Sequence, residues 1–321
     1  MHPRNNTFKS LPFAFGLATA LCFTASVMSC RKDNNPPQAS KKSDMRYQLP
    51  QGNAPFDTTI LNFFHTYNTY ILYKFSDVDF NYQLSFNLAN PPGGTTNGVV
   101  GPVVMRGGDA IAIQAALDFM NQYWFSFYPE GFKKQYLPQK ILLAGLIYNS
   151  RWNGITKIYD TIRMNPDTIP IEGIDHITLP KIDTAFNTCP LASKLALKAQ
   201  LNRLFLKHLM YPVVNTMPAP VAPPADFFKV SNYALAGISG VQQYKYGFNS
   251  TTRSGNAPTP GADILSYLDT ICAKPRAALD AYMLNPSVDV QGLCKRKYDL
   301  LVNYFKANYN VDIQAIGNKQ D

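Results

Sequence analysis

Histidine and cysteine, on which most metal and nucleophile chemistry is built, are scarce in this chain: four and five among 321 residues. The cysteines stand at positions 22, 30, 189, 272 and 294, too few and too scattered for a disulfide framework. No G-x-S-x-G run places a serine on a nucleophile elbow, and Ser239-Gly240 and Ser254-Gly255 read as ordinary loop pairs. The glycine- and proline-rich stretch from Asn90 to Pro102 lacks the Gly-Lys-Ser/Thr ending that would cradle a phosphate. Asp77 and Asp79 read as solvated acids at a strand end rather than a glycosidase pair. Beyond the first thirty residues, no apolar run has the length needed to span a bilayer.

What is present is an apolar, aromatic and mildly basic chain. With 46% hydrophobic residues it can bury a substantial core. The formal charge is +9, but the basic residues are scattered, with short clusters at Lys133-Lys134 and Lys295-Arg296-Lys297. That distribution reads as solvated surface, and no nucleic-acid partner is expected. The N-terminus is more specific. Arg4 and Lys9 precede an apolar run from Leu11 to Val27, then Val27-Met28-Ser29-Cys30, a secretory signal over residues 1–29 that ends at a cysteine. The site resembles the lipobox of bacterial lipoproteins. That resemblance implies that Cys30 becomes the acylated first residue of the mature protein, with palmitate among its chains. Several acyl chains together hold a protein on a membrane where one does so only marginally. Removal of residues 1–29 takes Cys22 with them, leaving Cys189, Cys272 and Cys294, which allow at most one bridge. Cys272 and Cys294 flank a short connection between two predicted helices, so either one disulfide or two buried free thiols is expected there.

Residues 30–46 form the lipidated cysteine and a polar tether containing Asn34-Asn35-Pro36-Pro37, and residues 47–321 form one folded domain. Within it, helices are expected over 56–65, 108–127, 129–136, 190–211, 261–273 and 293–308. Strands are expected over 69–75, 140–148, 154–162 and 174–182, the middle pair joined as a hairpin through 149–153. In the 108–127 helix, Ile111, Ala115, Phe119 and Tyr123 recur at helical spacing, and Asp109 favours the N-terminus. The 190–211 helix carries Leu201, Leu204, Phe205, His208 and Leu209 on one stripe, which turns His208 inward. Residues 212–260 read as mostly irregular. Their aromatics, Phe227, Tyr233, Tyr244, Tyr246 and Phe248, suggest packing onto the core, with a sugar-stacking surface as the alternative. The whole reads as an α+β domain with a small mixed sheet and a long central helix.

Three stretches resemble a known family. Phe56-Asp57, Asn62-Phe63, Tyr67-Asn68 and Ile71-Leu-Tyr-Lys-Phe75 are similar to the opening of the zinc-metallohydrolase lipoproteins associated with TonB-dependent nutrient import. Phe132-Lys-Lys-Gln-Tyr-Leu-Pro138 with Lys140-Ile-Leu-Leu-Ala-Gly145 resembles that family's helix-to-strand passage, and Lys297-Tyr298, Asn303-Tyr-Phe-Lys306 and Val311-Asp-Ile313 resemble its end. The resemblance implies a zincin-like domain, an outer-membrane location and a TonB-dependent receptor as partner. It also implies H-E-x-x-H on the long helix, where two histidines bind zinc and the glutamate activates water. This chain instead has Leu204-Phe205-Leu206-Lys207-His208, so only the second histidine matches. The downstream acidic motif corresponds to Gly261-Ala-Asp-Ile-Leu-Ser266, which keeps Asp263 and places Ser266 at the third-ligand position. A catalytic zinc needs three protein ligands. No bound metal or other cofactor and no catalytic residue is therefore expected, and the chain reads as a degenerate, non-catalytic relative. An active enzyme with displaced ligands, drawing on His65, His176 and His208, and a glycan- or peptide-binding lipoprotein are the alternatives.

Overall fold

The computed structural model describes residues 46–76, 79–80, 100–153, 155–156, 158–163, 169–212, 219–238, 240 and 242–321. The signal, Cys30 and the tether lie outside them, as do Asp77 and most of the glycine-rich stretch. Residues Tyr47–Asp321 form one compact unit.

Helix α1 (Pro55–Tyr67) starts with proline at its first position, and the Asp57 carboxylate accepts the Ala54 amide at 2.9 Å. It stops where Asn68 turns left-handed (φ 54°) and its amide reaches back to Phe64. Asp57 also accepts the Tyr73 hydroxyl at 2.8 Å, tying the helix to the chain just after β1 (Tyr70–Leu72). The expected 69–75 strand is thus shorter than its aromatic content suggests. Strand β2 (Val100–Gly107) was not expected, because Gly101 and Pro102 read as loop. Helix α2 (Ala110–Tyr123) follows. Its buried face is Ala112, Ile113, Ala116, Leu117, Phe119, Met120 and Tyr123, so the expected stripe is right at Phe119 and Tyr123 and misplaced at its start, where Ile111 is 67% exposed. A 3-10 turn (Phe125–Phe127) leads to α3 (Glu130–Tyr136), capped by Pro129.

Strand β3 (Lys140–Asn153) organises the sheet. Its first residues pair in parallel with β1 and with β6 (His176–Leu179), and β5 (Ile171–Glu172) adds antiparallel to β6. Ile141, Leu142, Leu143 and Ala144 are all buried, the continuous apolar run of a strand covered on both faces. From Ala144 onward β3 pairs antiparallel with β2, and from Tyr148 with β4 (Ile158–Arg163). The β3–β4 hairpin is as expected, but residues 149–153 are strand, and the turn follows them.

The long helix α4 (Leu191–Met210) buries Leu197, Lys198, Leu201, Asn202, Phe205, Leu206, Leu209 and Met210, a stripe at helical spacing. Two polar members of that stripe tie the helix to its neighbours, Lys198 to the C-terminus and Asn202 to the end of α2. The Lys198 ammonium donates to the carbonyls of Ile316 (2.6 Å) and Lys319 (2.5 Å), and the Asn202 amide donates to Tyr123 (2.8 Å). Residues 219–260 hold only a 3-10 turn (Ala225–Lys229) and the single turn α5 (Gln242–Lys245) among the described residues. Helix α6 (Pro260–Ala273) packs against α4. Helices α7 (Arg276–Ala281), α8 (Leu293–Tyr309) and α9 (Ile313–Asn318) complete the domain, with α9 held on α6. Sequence periodicity missed α7 and α9 because each is under two turns long. The architecture is mixed α+β with a small sheet. No described helix is long and apolar enough to cross a membrane.

Candidate functional site

The last turns of α4 carry Leu204, Phe205 and His208, the positions that the family resemblance would give to zinc chemistry, and their surroundings decide what they can do. Phe205, in the place of a general base, is 0% exposed. Its ring meets Trp124 at 5.5 Å, Tyr128 at 5.1 Å and Phe132 at 6.2 Å, all edge-to-face. Leu204 is half-buried against the same core and offers no donor atom. Ser266 stands on α6, and its hydroxyl donates back to the Asp263 carbonyl at 2.7 Å, an ordinary within-helix contact.

His208 turns inward as expected, its side chain 13% exposed, and meets a residue that sequence spacing did not single out. Its Nδ1 lies 2.9 Å from Oε1 of Glu172 on β5, and the other carboxylate oxygen pairs with Lys207. Glu172 is only 5% exposed, so two side chains from adjacent helix positions satisfy one buried carboxylate. The signal was present as an acid four residues before His176, but only the β5–β6 turn shows that it faces α4. His176 lies next along this wall. Its Nδ1 is 3.1 Å from Asp175, whose other oxygen receives Lys140 at 3.0 Å, and Lys140 also donates to the Asp79 carbonyl. The ring is buried, packs on Phe80 at 5.1 Å and leaves no room for a Cβ at Gly173. Burial lowers the His176 pKa from its ordinary value, outweighing the pull of Asp175. Burial works to raise the Asp175 carboxyl, but hydrogen bonds from His176 and Lys140 hold it below the usual range. His176 Nε2 is buried without a partner among the described residues.

His65 does not join this wall, being exposed in the last turn of α1. Among the described residues no group of three or more histidines, cysteines or acids is placed to hold a metal ion. The donor set does not fit a catalytic zinc: Glu172 is committed to Lys207 and His208, and Leu204, Phe205 and Ser266 supply nothing. Asp79, weighed as a possible acid, is held by the Tyr47 hydroxyl (2.8 Å) and by the Ser76 amide and hydroxyl.

A second ionic centre lies under the irregular segment. Asp263 and Lys297 are both fully buried, with Nζ 2.5 Å from Oδ2, and the Tyr233 hydroxyl donates to the same oxygen at 2.7 Å. The ammonium sits among four rings, Phe248 at 4.6 Å, Phe227 at 5.0 Å, Tyr233 at 5.1 Å and Tyr267 at 5.9 Å. Burial pushes the Asp263 carboxyl up and the Lys297 ammonium down, each against the attraction of its partner. Three of the aromatics weighed as a sugar-stacking surface therefore face a lysine inside the protein. The cysteine alternative is resolved as well. Cys272 and Cys294 are free and buried, and burial pushes both thiols up to about 12.

No protein-family model and no curated protein matches this chain. Among solved structures, one of a candidate zinc-binding metallo-peptidase from Bacteroides caccae is a distant likeness. Its TM-score is 0.48 at 14% identity, covering 83% of this chain and 92% of that one.

Proposed function

We propose that this chain is a lipid-anchored envelope protein with a zincin-like domain that has lost its metal centre, serving as a non-catalytic accessory or binding component of outer-membrane nutrient import. The observation that carries the loss of catalysis is Phe205, fully buried among Trp124, Tyr128 and Phe132 where a zincin needs a base in contact with water. The commitment of His208 to Glu172 supports it. The anchor rests on the Val27-Met28-Ser29-Cys30 site, and the import context with a TonB-dependent receptor on the family resemblance.

Elemental analysis tests this reading. Protein purified without chelator is expected to hold far less than one zinc per chain, and added zinc is expected to leave its melting temperature unchanged. A ligand present at 100 times its Kd would stabilise by about 2.7 kcal/mol. One observation favours a second reading, an enzyme with displaced ligands: the unpartnered His176 Nε2 on the same wall as His208. Stoichiometric zinc, lost on His176→Ala or His208→Ala, would replace the first reading by the second.

A further inference from the structure

At the opposite end of α4 from His208, a crevice of about 270 Å³ opens between the exit of β6 and the first three turns of the helix. Its floor is apolar, built from Pro180, Phe186 and Leu197. Lys181, Ser193 and Gln200 line it with polar groups.

Lys181 is the unusual member. Its backbone is left-handed (φ 59°), a conformation that a lysine adopts only where its surroundings impose it. The imposition comes from the next residue. The amide of Ile182 donates to Ala144 at 2.9 Å and its carbonyl accepts from Asp109 at 2.9 Å, which locks the chain onto the sheet. The Lys181 ammonium has no carboxylate partner among the described residues, although acid stands two residues away. Asp183 instead uses its carboxylate to cap the following turn through the Ala185 amide. A lysine with no carboxylate partner among the described residues, beside an apolar floor of small volume, matches one kind of molecule. It carries a single negative charge at one end and an apolar body at the other.

We propose that this crevice binds a small monocarboxylate with an apolar body, its carboxylate on the Lys181 ammonium and its body against Phe186 and Leu197. One ammonium with one hydroxyl and one amide suits a singly charged carboxylate. A phosphate would bring two charges to one cation and leave the floor unfilled. The inference is independent of the lost zinc site, which lies at the other end of the helix.

Cys189 lines the same crevice and serves as a reporter, while the buried thiols of Cys272 and Cys294 stay silent. The probe is 4-phenylbutyrate, compared with the uncharged 4-phenylbutanol, by calorimetry and by iodoacetamide alkylation of Cys189 followed through peptide mass mapping. The acid is expected to bind one per chain, slow Cys189 alkylation several-fold at saturation, and bind roughly tenfold more tightly than the alcohol. Lys181→Gln is expected to remove that preference. Ala196→Trp, at an exposed position on the crevice wall, is expected to abolish binding with the melting temperature unchanged. Absence of binding at millimolar acid, binding that leaves the Cys189 rate unaltered, or equal affinity for acid and alcohol would each overturn the proposal. None of these outcomes depends on zinc content, so failure here leaves the proposed loss of the metal centre standing.

Discussion

Replacing Lys297 by methionine keeps the length and apolar stem of the side chain and removes only its charge, which makes it a direct probe of the ionic centre beneath residues 219–260. In the native protein the Asp263 carboxylate is fully buried, with Lys297 at 2.5 Å and the Tyr233 hydroxyl at 2.7 Å on one oxygen, and its Oδ1 has no partner. Without the ammonium, Asp263 must either stay charged with a single donor or take up a proton. Removing one member of a buried pair costs about 3–5 kcal/mol. Four rings within 5.9 Å lose their cation at the same time. For a domain of this size, roughly 2–4 °C of melting temperature per kcal/mol converts the loss to a drop of about 6–20 °C. The double variant Lys297→Met/Asp263→Leu removes both charges and is expected to recover most of that loss, since an apolar pair of similar volume often equals or exceeds a buried ion pair. Urea unfolding followed by fluorescence of the two tryptophans gives all three stabilities. A single variant that loses less than about 1 kcal/mol, or a double variant less stable than the single, would refute the assignment of Lys297 as the counter-charge that Asp263 requires.

His208→Leu is expected to cost about 1–3 kcal/mol, because Glu172 loses one donor and keeps Lys207; a much larger loss by thermal melting would mean that the imidazole carries more of the wall than its one contact suggests. The His176 imidazole is held below its ordinary value of 6.5, so its contribution is complete above that pH and is lost as pH falls through the folded value. The melting temperature should therefore fall as the pH drops below the ordinary imidazole value of about 6.5, and His176→Gln should flatten that slope, whereas an unchanged slope would assign it to other groups. Cys30→Ala is expected to abolish lipid incorporation and release the protein from the membrane fraction; a variant still labelled by lipid and fully membrane-bound would end the lipoprotein reading.

Legibility followed the length and chemical isolation of each element. Helix α4 was plain because twenty residues repeat one stripe between Pro190 and Pro212, and α6 and α8 were plain for the same reason. Strand β2 was hidden because glycine and proline sit at its start, where its bulged register tolerates them. The stripe on α2 was right at Phe119 and Tyr123 and misplaced at its start, where Ile111 and Ile113 are both apolar and only the packing of the helix shows that Ile113 is the buried one. Leu204 and Phe205 were legible as residues that cannot ligate a metal or accept a proton. The positive content of the site was not legible. Glu172 meets His208 across 36 residues, and Lys297 meets Asp263 across 34, through contacts that no local spacing encodes.

The packing around Phe205 and His208 shows what this stretch of α4 does in the fold. A carboxylate at position 205 would enter a pocket walled by Trp124, Tyr128 and Phe132. The Tyr128 hydroxyl, one polar group on those walls, already donates to Asn202 at 3.0 Å, and Asn202 in turn holds the Tyr123 carbonyl. A charge placed there would be desolvated among rings, at a cost of several kcal/mol, with the buried Trp124 indole N–H as a donor not already engaged. On the next turn, the histidine that remains is bonded to a carboxylate that also satisfies Lys207. The helix face that would carry water and metal has thus been given over to two structural tasks, an aromatic core around Phe205 and the closure of β5 onto α4 through Glu172. His208, bonded to Glu172, is in this setting a fastening between sheet and helix.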